Sequence, residues 1–356
     1  MTPIGVGIIG ASPAGGWAVA THVPALSALP EYDLRAVATS RAESAKRASA
    51  EWGVDGFDSP LPLIEHPGVD LVVVAVKVPD HYGLIVEALA AGKMVLSEWP
   101  LALNLTQAED LAEKAAAAGV PTAVGLQGRF APAVATMRDL VSKGYLGRVV
   151  ATNLVGSGMA WAPGAPKGQA YAFDARNGVT AVRVFTGHAL STLTYVLGGI
   201  SPVTSALAVG NDTIDLDDGT RIKVTSPDQI ALTARLRSGA VGTVFYRGGL
   251  SRAGDLRWEI NGTEGDLLLT SPARNGNIPA TELVLAGANG SATQVVPIDT
   301  PDPDAAVGLA GPASNVAKLY RAFANDRAHG TTETPTFDDA VELHRLLDRI
   351  ERGHLP

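Results

Sequence analysis

The sequence predicts an α/β domain built on a doubly wound parallel sheet, followed by an α+β domain with a large, mainly antiparallel open sheet. Two patterns support this prediction. In residues 1–125, short apolar runs alternate with amphipathic stretches, as in parallel strands joined by right-handed helical crossovers. In residues 126–356, segments of alternating polarity are joined by short glycine-containing turns, which are typical of antiparallel hairpins. The length of 356 residues is consistent with two such domains.

Five apolar runs and the helices between them define the first domain. The predicted strands are residues 4–9, 34–38, 71–76, 94–96 and 120–125. The third run is apolar on both faces, as expected for a strand buried under helices on each side. Two helices are predicted to begin at capping boxes, Ser40–Glu43 and Thr106–Glu109. Glycines are predicted to end helices at Gly53, Gly92 and Gly119.

The second domain is predicted from one long strand, two hairpins and three helices. The strand covers residues 148–156, and the hairpins pair 230–237 with 241–247 and 256–260 with 266–270. The predicted helices cover residues 133–143, 314–325 and 336–352, the last beginning at a Thr-x-x-Asp cap. Stretches rich in glycine and proline are predicted to be loops at 156–168, 271–292 and 299–313.

The composition excludes several classes of protein. The chain has 28 Lys and Arg against 36 Asp and Glu, a net charge of −8, so neither nucleic acid nor an anionic membrane is an expected partner. It contains no Cys, which excludes disulfides, Cys-ligated metals and a thiol nucleophile. Its strongest apolar run, Leu71 to Val76, is far shorter than the ~20 residues of a membrane-spanning helix. With no charged secretory leader in view, we expect a cytoplasmic protein.

A glycine-containing turn follows the first predicted strand. Its sequence, Gly10-Ala11-Ser12-Pro13-Ala14-Gly15, has the spacing of the G-x-G-x-x-G dinucleotide fingerprint, with Ser12 in place of the middle glycine. Such turns let backbone N–H groups approach a pyrophosphate in a Rossmann domain. We therefore predict that a dinucleotide contacts Gly10, Ser12, Pro13, Ala14 and Gly15. The alternative is an ordinary tight turn between a strand and a helix.

The end of the second strand bears on the choice of dinucleotide. A carboxylate at this position would bind the ribose 2′-hydroxyl of NAD, but the sequence has Thr39-Ser40-Arg41 instead. A serine and an arginine suit a 2′-phosphate, so NADP is favoured slightly over NAD. The alternative assigns Ser40 to the helix cap and Arg41 to the solvated first turn.

His188 is the candidate for acid–base chemistry. It is near the start of an apolar helix predicted to run to Leu197, and the ordinary pKa of histidine suits proton transfer near neutral pH. A lone histidine is more often structural. The chain has no HExxH or HxxxH spacing and no G-x-S-x-G turn, so neither a catalytic metal nor a serine nucleophile is expected.

Several segments together resemble the Gfo/Idh/MocA oxidoreductases, a family that includes glucose–fructose oxidoreductase and inositol dehydrogenase. These segments, in family order, are Gly7–Gly10, Ser97–Leu101, Gln127–Pro132, Gly144–Gly147 and Asn261–Gly265. The strongest likeness is to the branch that resembles the fungal galactose-pathway repressor, a regulator. That likeness is carried by Gly15–Ala18, Thr21–Ala25, Lys77–Tyr82, Glu98–Trp99, Leu126–Arg129 and Leu343–Leu346.

The resemblance implies a cofactor pocket but an incomplete proton relay. Family enzymes have Glu-Lys-Pro where this chain has Glu98-Trp99-Pro100, and an Asp where it has Val184; His188 matches the family histidine. Further cofactor contacts implied by the resemblance are Val78, Pro79, His81, Glu98, Trp99 and Gln127. Lys77 is at the end of the third strand, and we hypothesise that it partly replaces the missing lysine. The alternative is that Lys77 binds cofactor ribose or caps the strand.

Five residues are candidates for contact with substrate. Trp161 is in the first predicted loop and would stack on a sugar ring, unless it only packs the loop. The others would hydrogen-bond polyol hydroxyls: Arg129, Tyr171, Asp174 and Arg176. For Arg129 the alternative is a structural salt bridge, and for the other three it is ordinary surface exposure.

These observations predict an oxidoreductase that transfers a hydride between NAD(P) and a sugar, polyol or related small carbonyl/alcohol compound. Two alternatives remain open: a non-catalytic dinucleotide-binding regulator, which the loss of the Lys and Asp favours, and an imine-type C=N reductase, which needs less proton relay. The resemblance also implies a homodimer or homotetramer formed through the C-terminal sheet.

Overall fold

The computed structural model describes residues 2–158, 160–302 and 308–353. These residues divide into two compact units. The first contains residues 2–127 and 308–344, and the second contains the described part of 128–302 together with 345–353. The sequence interpretation placed the domain boundary at residue 125 and gave everything beyond it to the second domain. In the structure, residues 308–344 instead belong with the N-terminal sheet, where Val124 N–H donates to the Pro335 carbonyl at 2.8 Å.

The first unit is built on a six-stranded sheet in which all paired strands are parallel. The strands are β1 (Ile4–Ile9), β2 (Tyr32–Ala38), β3 (Asp55–Phe57), β4 (Leu71–Val74), β5 (Met94–Glu98) and β6 (Thr122–Gly125). Their order is β3-β2-β1-β4-β5-β6, which confirms the predicted Rossmann arrangement. β1 and β4 are buried along their whole length because helices cover both faces of a doubly wound sheet.

Strand β3 was not predicted from the sequence. It has only three residues, and its Asp and Gly do not form an apolar run. It is specified by pairing with the end of β2, where Ala38 pairs with Phe57 and Thr39 N–H donates to the Phe57 carbonyl at 2.9 Å.

The crossover helices end as predicted but begin differently. The helices are α1 (Trp17–Ala20), α2 (His22–Ala28), α3 (Ala42–Trp52), α4 (Pro60–Ile64), α5 (Val78–Ala90) and α6 (Leu105–Ala118). Gly53 and Gly119 adopt the left-handed conformation that ends α3 and α6, and Gly92 follows α5 with a positive φ.

Both predicted capping boxes are wrong. Helix α3 has Arg41 at its N-cap, with no side-chain cap from Ser40. Helix α6 is capped by Asn104, two residues before the predicted Thr106, and the Asn104 side chain accepts from Gln107 N–H at 2.9 Å. The Ser40 side chain therefore does not cap the N-terminus of α3.

The second unit is built on an eight-stranded sheet with a separate two-stranded ribbon. Its elements are α7 (Pro132–Ser142), α8 (Gly187–Leu197), β7 (Val149–Gly158), β8 (Ile200–Ala208), β9 (Thr213–Asp215), β10 (Arg221–Lys223), β11 (Gln229–Leu236), β12 (Val241–Gly248), β13 (Leu256–Gly262), β14 (Gly265–Thr270), β15 (Val284–Asn289) and β16 (Val296–Pro297). The order is β16-β15-β14-β13-β7-β12-β11-β8, and β7 with β12 is the parallel pair. Both predicted hairpins, β11–β12 and β13–β14, are confirmed.

One of the predicted loops is wrong in part. The stretch 271–292 contains strand β15 and a short 3₁₀ turn at Ile278–Ala280, which glycine and proline content had hidden. β15 is specified by its antiparallel pairing with β14, so local composition does not reveal it. Part of the third predicted loop, residues 303–307, is outside the described residues, and so is residue 159 of the first.

The two faces of the second sheet differ in burial. Trp258, Tyr246 and Leu232 point to the buried face, whereas Val155, Val241 and Phe245 are 41%, 53% and 38% exposed on the other. The predicted homodimer or homotetramer through this open sheet stays a prediction.

Two further helices complete the described chain: α9 (Gly311–His329) and α10 (Phe337–Arg352). The predicted Thr-x-x-Asp cap of α10 is confirmed, because Thr336 N–H and Oγ1 both donate to Asp339 at 2.9 and 3.2 Å. Within the described ranges, no helix combines the length and apolar character needed to cross a membrane.

Candidate dinucleotide-binding site

A cavity of about 1190 Å³ opens at the carboxyl edge of the parallel sheet in the first unit. Its walls come from the ends of β1, β2 and β4 and from the start of α5. Eight residues singled out from the sequence line it: Gly10, Ser12, Pro13, Ala14, Ser40, Arg41, Lys77 and Pro79. The carboxyl edge next to β1 and β4 is the point where strand order reverses, which is where doubly wound sheets bind ligands.

The turn after β1 requires glycine at its first position. Gly10 has φ +107°, and a Cβ built there would be 2.3 Å from the Ala75 carbonyl oxygen. The turn is closed by Gly15 N–H, which donates to the Ser12 carbonyl at 3.0 Å. Gly15 and Gly16 also have positive φ values, but a Cβ at either would meet open space. The backbone thus passes close to the end of β4 and leaves room for a ligand over the turn.

Hydroxyl and guanidinium groups gather at the end of β2. Thr39 Oγ1 and Ser44 Oγ are 2.7 Å apart, and Ser44 Oγ donates to the Arg41 carbonyl at 2.9 Å. Ser40, Arg41 and Arg47 are exposed and line the same end of the cavity. Such a cluster of hydroxyl and guanidinium donors is suited to a phosphate.

Carboxylates also line the cavity, from Glu43, Asp58, Asp80 and Glu87. Glu43 is in the first turn of α3, the helix that carries Arg47, and Asp58 follows β3, the strand paired with the end of β2. Lys77 is exposed at the N-cap of α5 and lines the cavity beside Pro79. This position agrees with the alternative in which Lys77 contacts the cofactor; its catalytic role stays a prediction.

Glu98 ends β5 at the same edge of the sheet and is held by three hydrogen bonds. His22 Nε2 is 2.9 Å from Oε1, and Gln127 Nε2 donates to Oε1 and Oε2 at 2.9 Å each. His22 Nδ1 is in turn 2.7 Å from the hydroxyl of Tyr320 on α9. His22 is fully buried, whereas the Glu98 side chain is 13% exposed. Burial raises the pKa of Tyr320 well above its usual value, so its hydroxyl stays protonated.

The neighbours of Glu98 leave space for its carboxylate. Gly125 pairs with Glu98 in the sheet, and a Cβ at Gly125 would be 2.7 Å from Oε1. Trp99 is buried, and its ring is 4.8 Å from that of His344. Glu98, Trp99 and Gln127 are therefore beside one another but are not part of the cavity wall.

The remaining predicted cofactor contacts lie apart from the cavity. The His81 ring is buried, with Nε2 3.1 Å from the Val76 carbonyl and Nδ1 3.3 Å from Ser97 Oγ. Burial lowers the pKa of His81, which favours the neutral ring. Val78 is buried at the first position of α5, and Gly15 is exposed beyond the cavity wall. Direct cofactor contact by these three residues stays a prediction.

In the second unit, His188 follows an unusual turn of helix. Residues Val182–Thr186 form a π-helical turn, in which Thr186 N–H donates to the Ala181 carbonyl at 3.1 Å. His188 is the second residue of α8 and is 8% exposed, and Thr192 Oγ1 donates to its carbonyl at 3.0 Å. Single π turns are frequent at functional sites. Val184, in this turn, has no titratable group.

Trp161 packs inside the second unit. Its indole N–H donates to the Ala172 carbonyl at 2.9 Å, and its ring meets Phe185 edge-on at 4.7 Å. Its φ of 54° is a left-handed conformation that is uncommon for a bulky residue. The contacts agree with the loop-packing alternative, and stacking on a sugar stays a prediction.

The other substrate candidates have protein partners within the second unit. Arg129 Nε donates to Ser191 Oγ at 3.1 Å, and its guanidinium is 5.5 Å from the ring of Tyr195. Asp174 accepts from Arg176 at 2.6 Å, and this contact lowers the pKa of Asp174 to about 2. Burial raises the pKa of Tyr171. Their substrate roles stay predictions.

Sequence reasoning missed part of the cavity wall and the partners of Glu98. Ser44 and Arg47 follow Arg41 at spacings of three residues, so helical periodicity could have placed them on one face. Asp58 and Ser59 follow β3, which was itself missed. No sequence signal joins Tyr320 to His22, because 298 positions separate them.

The first unit is a Rossmann-type domain whose edge fits a dinucleotide. The fit rests on the glycine cradle at Gly10, the cavity above it and the hydroxyl and guanidinium cluster at the end of β2. Among the described residues, no group of three or more His, Cys, Asp or Glu side chains is placed to hold a metal ion.

Comparison with known families agrees with this class of protein. Residues 4–126 match the Gfo/Idh/MocA model, described as an oxidoreductase family with an NAD-binding Rossmann fold, and residues 132–271 match the Gal80p C-terminal domain. The two matches together give the chain a likeness to the Gfo/Idh/MocA oxidoreductases over its first part and to the Gal80 branch over its second.

Both regulators and dehydrogenases are among the relatives. The chain is 27% identical to the galactose/lactose metabolism regulatory protein GAL80 of Saccharomyces cerevisiae, covering 99% of this chain and 93% of that protein. It is 29% identical to the dehydrogenase aclE of Aspergillus oryzae, with coverages of 91% and 87%. It is 26% identical to the scyllo-inositol 2-dehydrogenase (NAD(+)) of Bacillus subtilis, with coverages of 71% and 69%.

A solved structure supports the fold. A super-repressor mutant of Gal80p from Saccharomyces cerevisiae has a TM-score of 0.88 and 24% identity, covering 99% of this chain and 95% of that one. At this identity the likeness shows a shared fold.

Proposed function

We propose that this chain is an oxidoreductase that transfers a hydride between NAD(P) and a sugar, polyol or related small carbonyl/alcohol compound. The observation that carries the proposal is the cavity at the carboxyl edge of the first sheet, with its glycine cradle at Gly10. The dehydrogenases among the relatives support a redox activity, and the inositol enzyme supports a polyol as substrate.

We further propose that NADP is preferred to NAD. The exposed Ser40, Arg41 and Arg47 at the β2 end of the cavity support this preference, because guanidinium and hydroxyl groups bind a phosphate well. Ser40 does not cap α3, so it is available to a ligand.

In this proposal the dinucleotide supplies the hydride acceptor or donor. Oxidation of an alcohol also releases the hydroxyl proton, and His188 takes up that proton. Its imidazole suits the role because the ordinary pKa of histidine is close to neutral pH. Reduction reverses the direction, and His188 returns the proton.

Two variants measured side by side test this assignment. We expect His188→Ala to lower kcat by about 100-fold or more while dinucleotide affinity stays within a factor of about two. Lys77→Met should weaken dinucleotide binding, because Lys77 lines the cavity. The measurements are fluorescence titration with NADH and NADPH and turnover against a panel of sugars and polyols. An unchanged kcat in His188→Ala would remove His188 from the chemistry, and a lower kcat in Lys77→Met at saturating cofactor would support its catalytic role.

A non-catalytic dinucleotide-binding regulator is the second candidate. Trp99 and Val184, which lack titratable groups at two positions of the family relay, support it, as does the likeness to the GAL80 regulatory protein over 99% of the chain. Tight dinucleotide binding with no turnover of any compound in the panel would favour this candidate.

A further inference from the structure

The carboxylate of Glu98 is a mostly buried, hydrogen-bonded acidic group of the first unit that the proposed chemistry does not use. It accepts three hydrogen bonds, one from His22 and two from Gln127, all at 2.9 Å. Glu98 and Gly125 are opposite each other, and the absence of a side chain at Gly125 makes room for the carboxylate. Its position is therefore fixed by contacts on several sides before any ligand binds.

The contacts stabilise the negative charge without requiring a cation. Gln127 contributes a neutral amide. The hydrogen bonds of His22 are satisfied by a neutral ring that donates from Nε2 to Glu98 and accepts at Nδ1 from the Tyr320 hydroxyl, a tautomer inferred from the partners. The adjacent Trp99 side chain carries no charge. Glu98 thus presents a fixed negative charge, and 13% of its side chain is exposed.

The sheet order places this charge on the side of the cavity opposite the guanidinium cluster. The cavity runs from the end of β2, past the Gly10 turn, to the end of β4. β5 is the next strand, with Ser97 opposite Val74, and Glu98 is its last residue. In a doubly wound sheet a dinucleotide crosses the point where strand order reverses. If the adenosine phosphate is bound at Arg41 and Arg47, the nicotinamide half extends toward β5.

We propose that Glu98 makes this site discriminate between the oxidation states of the cofactor, favouring the oxidised form. The oxidised nicotinamide ring carries a positive charge that the reduced ring lacks. A fixed carboxylate in a poorly solvated site stabilises that charge. The inference rests on the proposed function, because it requires the dinucleotide to occupy the cavity, but it concerns binding and not turnover.

The test compares the affinities of NADP⁺ and NADPH, with NAD⁺ and NADH in parallel, by calorimetric titration. The wild-type protein should bind the oxidised form more tightly. Glu98→Gln keeps the size of the side chain and removes its charge. It should shift the ratio of the two dissociation constants by roughly tenfold toward the reduced form.

The matched control is Glu87→Gln, which removes a carboxylate from the cavity wall on α5. Because the two oxidation states differ in charge at the nicotinamide ring, this change should alter both affinities by the same factor. Thermal unfolding of each variant checks that it folds. If Glu98→Gln does not fold, the wild-type ratio still decides: equal affinities, or tighter binding of the reduced form, overturn the inference.

The outcomes separate this inference from the proposed function. Binding of oxidised and reduced forms with a ratio that Glu98→Gln leaves unchanged contradicts the role of Glu98 and leaves hydride transfer possible. A shifted ratio without turnover of any substrate supports the role of Glu98 and contradicts the proposed catalysis. Failure to bind any of the four dinucleotides contradicts both.

Discussion

At the carboxyl edge of the parallel sheet, the side chains that follow β2 and the side chain that ends β5 differ in both charge and burial. At the β2 end, Arg41 and Arg47 are exposed and positively charged, and solvent surrounds them. At the β5 end, Glu98 is negatively charged, mostly buried and hydrogen-bonded to His22 and Gln127. An exposed guanidinium can adjust to a mobile phosphate, whereas a buried carboxylate has one fixed position.

This difference indicates that the two places recognise different groups of one bound dinucleotide. The flexible β2 end is suited to recognise which dinucleotide is bound, because the 2′-phosphate is the group that distinguishes NADP from NAD. The rigid β5 end is suited to distinguish the positively charged oxidised nicotinamide ring from the uncharged reduced ring. The Gly10 turn lies between the β2 and β5 ends and would contact the dinucleotide in either case.

The largest effect should come from breaking that shared turn. Gly10→Ala places a Cβ 2.3 Å from the Ala75 carbonyl oxygen at a φ of +107°. We expect loss of about 2–3 kcal/mol in the free energy of unfolding, because the backbone is strained and crowded. All dinucleotides should lose about 100-fold in affinity. Urea unfolding and fluorescence titration measure the two effects.

Gly83→Ala is the control for stability. Gly83 is inside α5, has an ordinary helical φ, and a Cβ there would meet open space. This variant should be as stable as the wild type or slightly more so, because alanine favours helix. A Gly10→Ala protein as stable as Gly83→Ala would contradict the close approach of the turn to β4.

A smaller effect should come from the β2 end alone. Replacing Arg41 and Arg47 together by alanine should weaken NADPH binding by about tenfold and leave NADH binding nearly unchanged, because a lost guanidinium–phosphate contact affects one ligand. The control is Lys46→Ala, which removes an exposed cation of the same helix that is not part of the cavity wall. An equal loss for NADH and NADPH would show that the arginines do not select the 2′-phosphate.

The smallest effect should come from the support behind Glu98. Tyr320→Phe removes the hydroxyl that is 2.7 Å from His22 Nδ1 and leaves that buried nitrogen without its partner. The free energy of unfolding should fall by about 1 kcal/mol, while the oxidised-to-reduced binding ratio stays as in the wild type. Tyr82→Phe, which removes a half-buried hydroxyl bonded to Asp110, should change the unfolding free energy by less than about 0.5 kcal/mol. A large change in the binding ratio for Tyr320→Phe would mean that the whole chain of contacts controls the charge.

Much of the fold was predictable because its signals are local. Apolar runs marked β1 and β4, and glycines marked the ends of α3 and α6. Strands β3 and β15 were missed because they depend on pairing with a neighbour and not on their own composition. The cap at Asn104 was missed because several polar residues near a helix start can compete for the same N–H group.

In the candidate site, too, the residues with local sequence signals were predicted and those that depend on tertiary contacts were not. Gly10, Ser12, Pro13 and Ala14 of the turn, and Ser40 and Arg41 after β2, were predicted from the sequence, and they line the cavity. The role of Glu98 could not be derived from the sequence, because its partners come from α2, the turn after β6 and α9. Such convergence depends on tertiary packing.

The widened turn at Val182–Thr186 sets the direction in which His188 faces. An α-helix rotates by about 100° for each residue. A π turn contains one residue more than an α turn. The side chains that follow it are therefore rotated about the helix axis by about 100° relative to an uninterrupted α-helix. The extra residue therefore determines which side of α8 carries the imidazole. Homologous chains that lack it would present a different side chain in that direction even where their aligned letters agree.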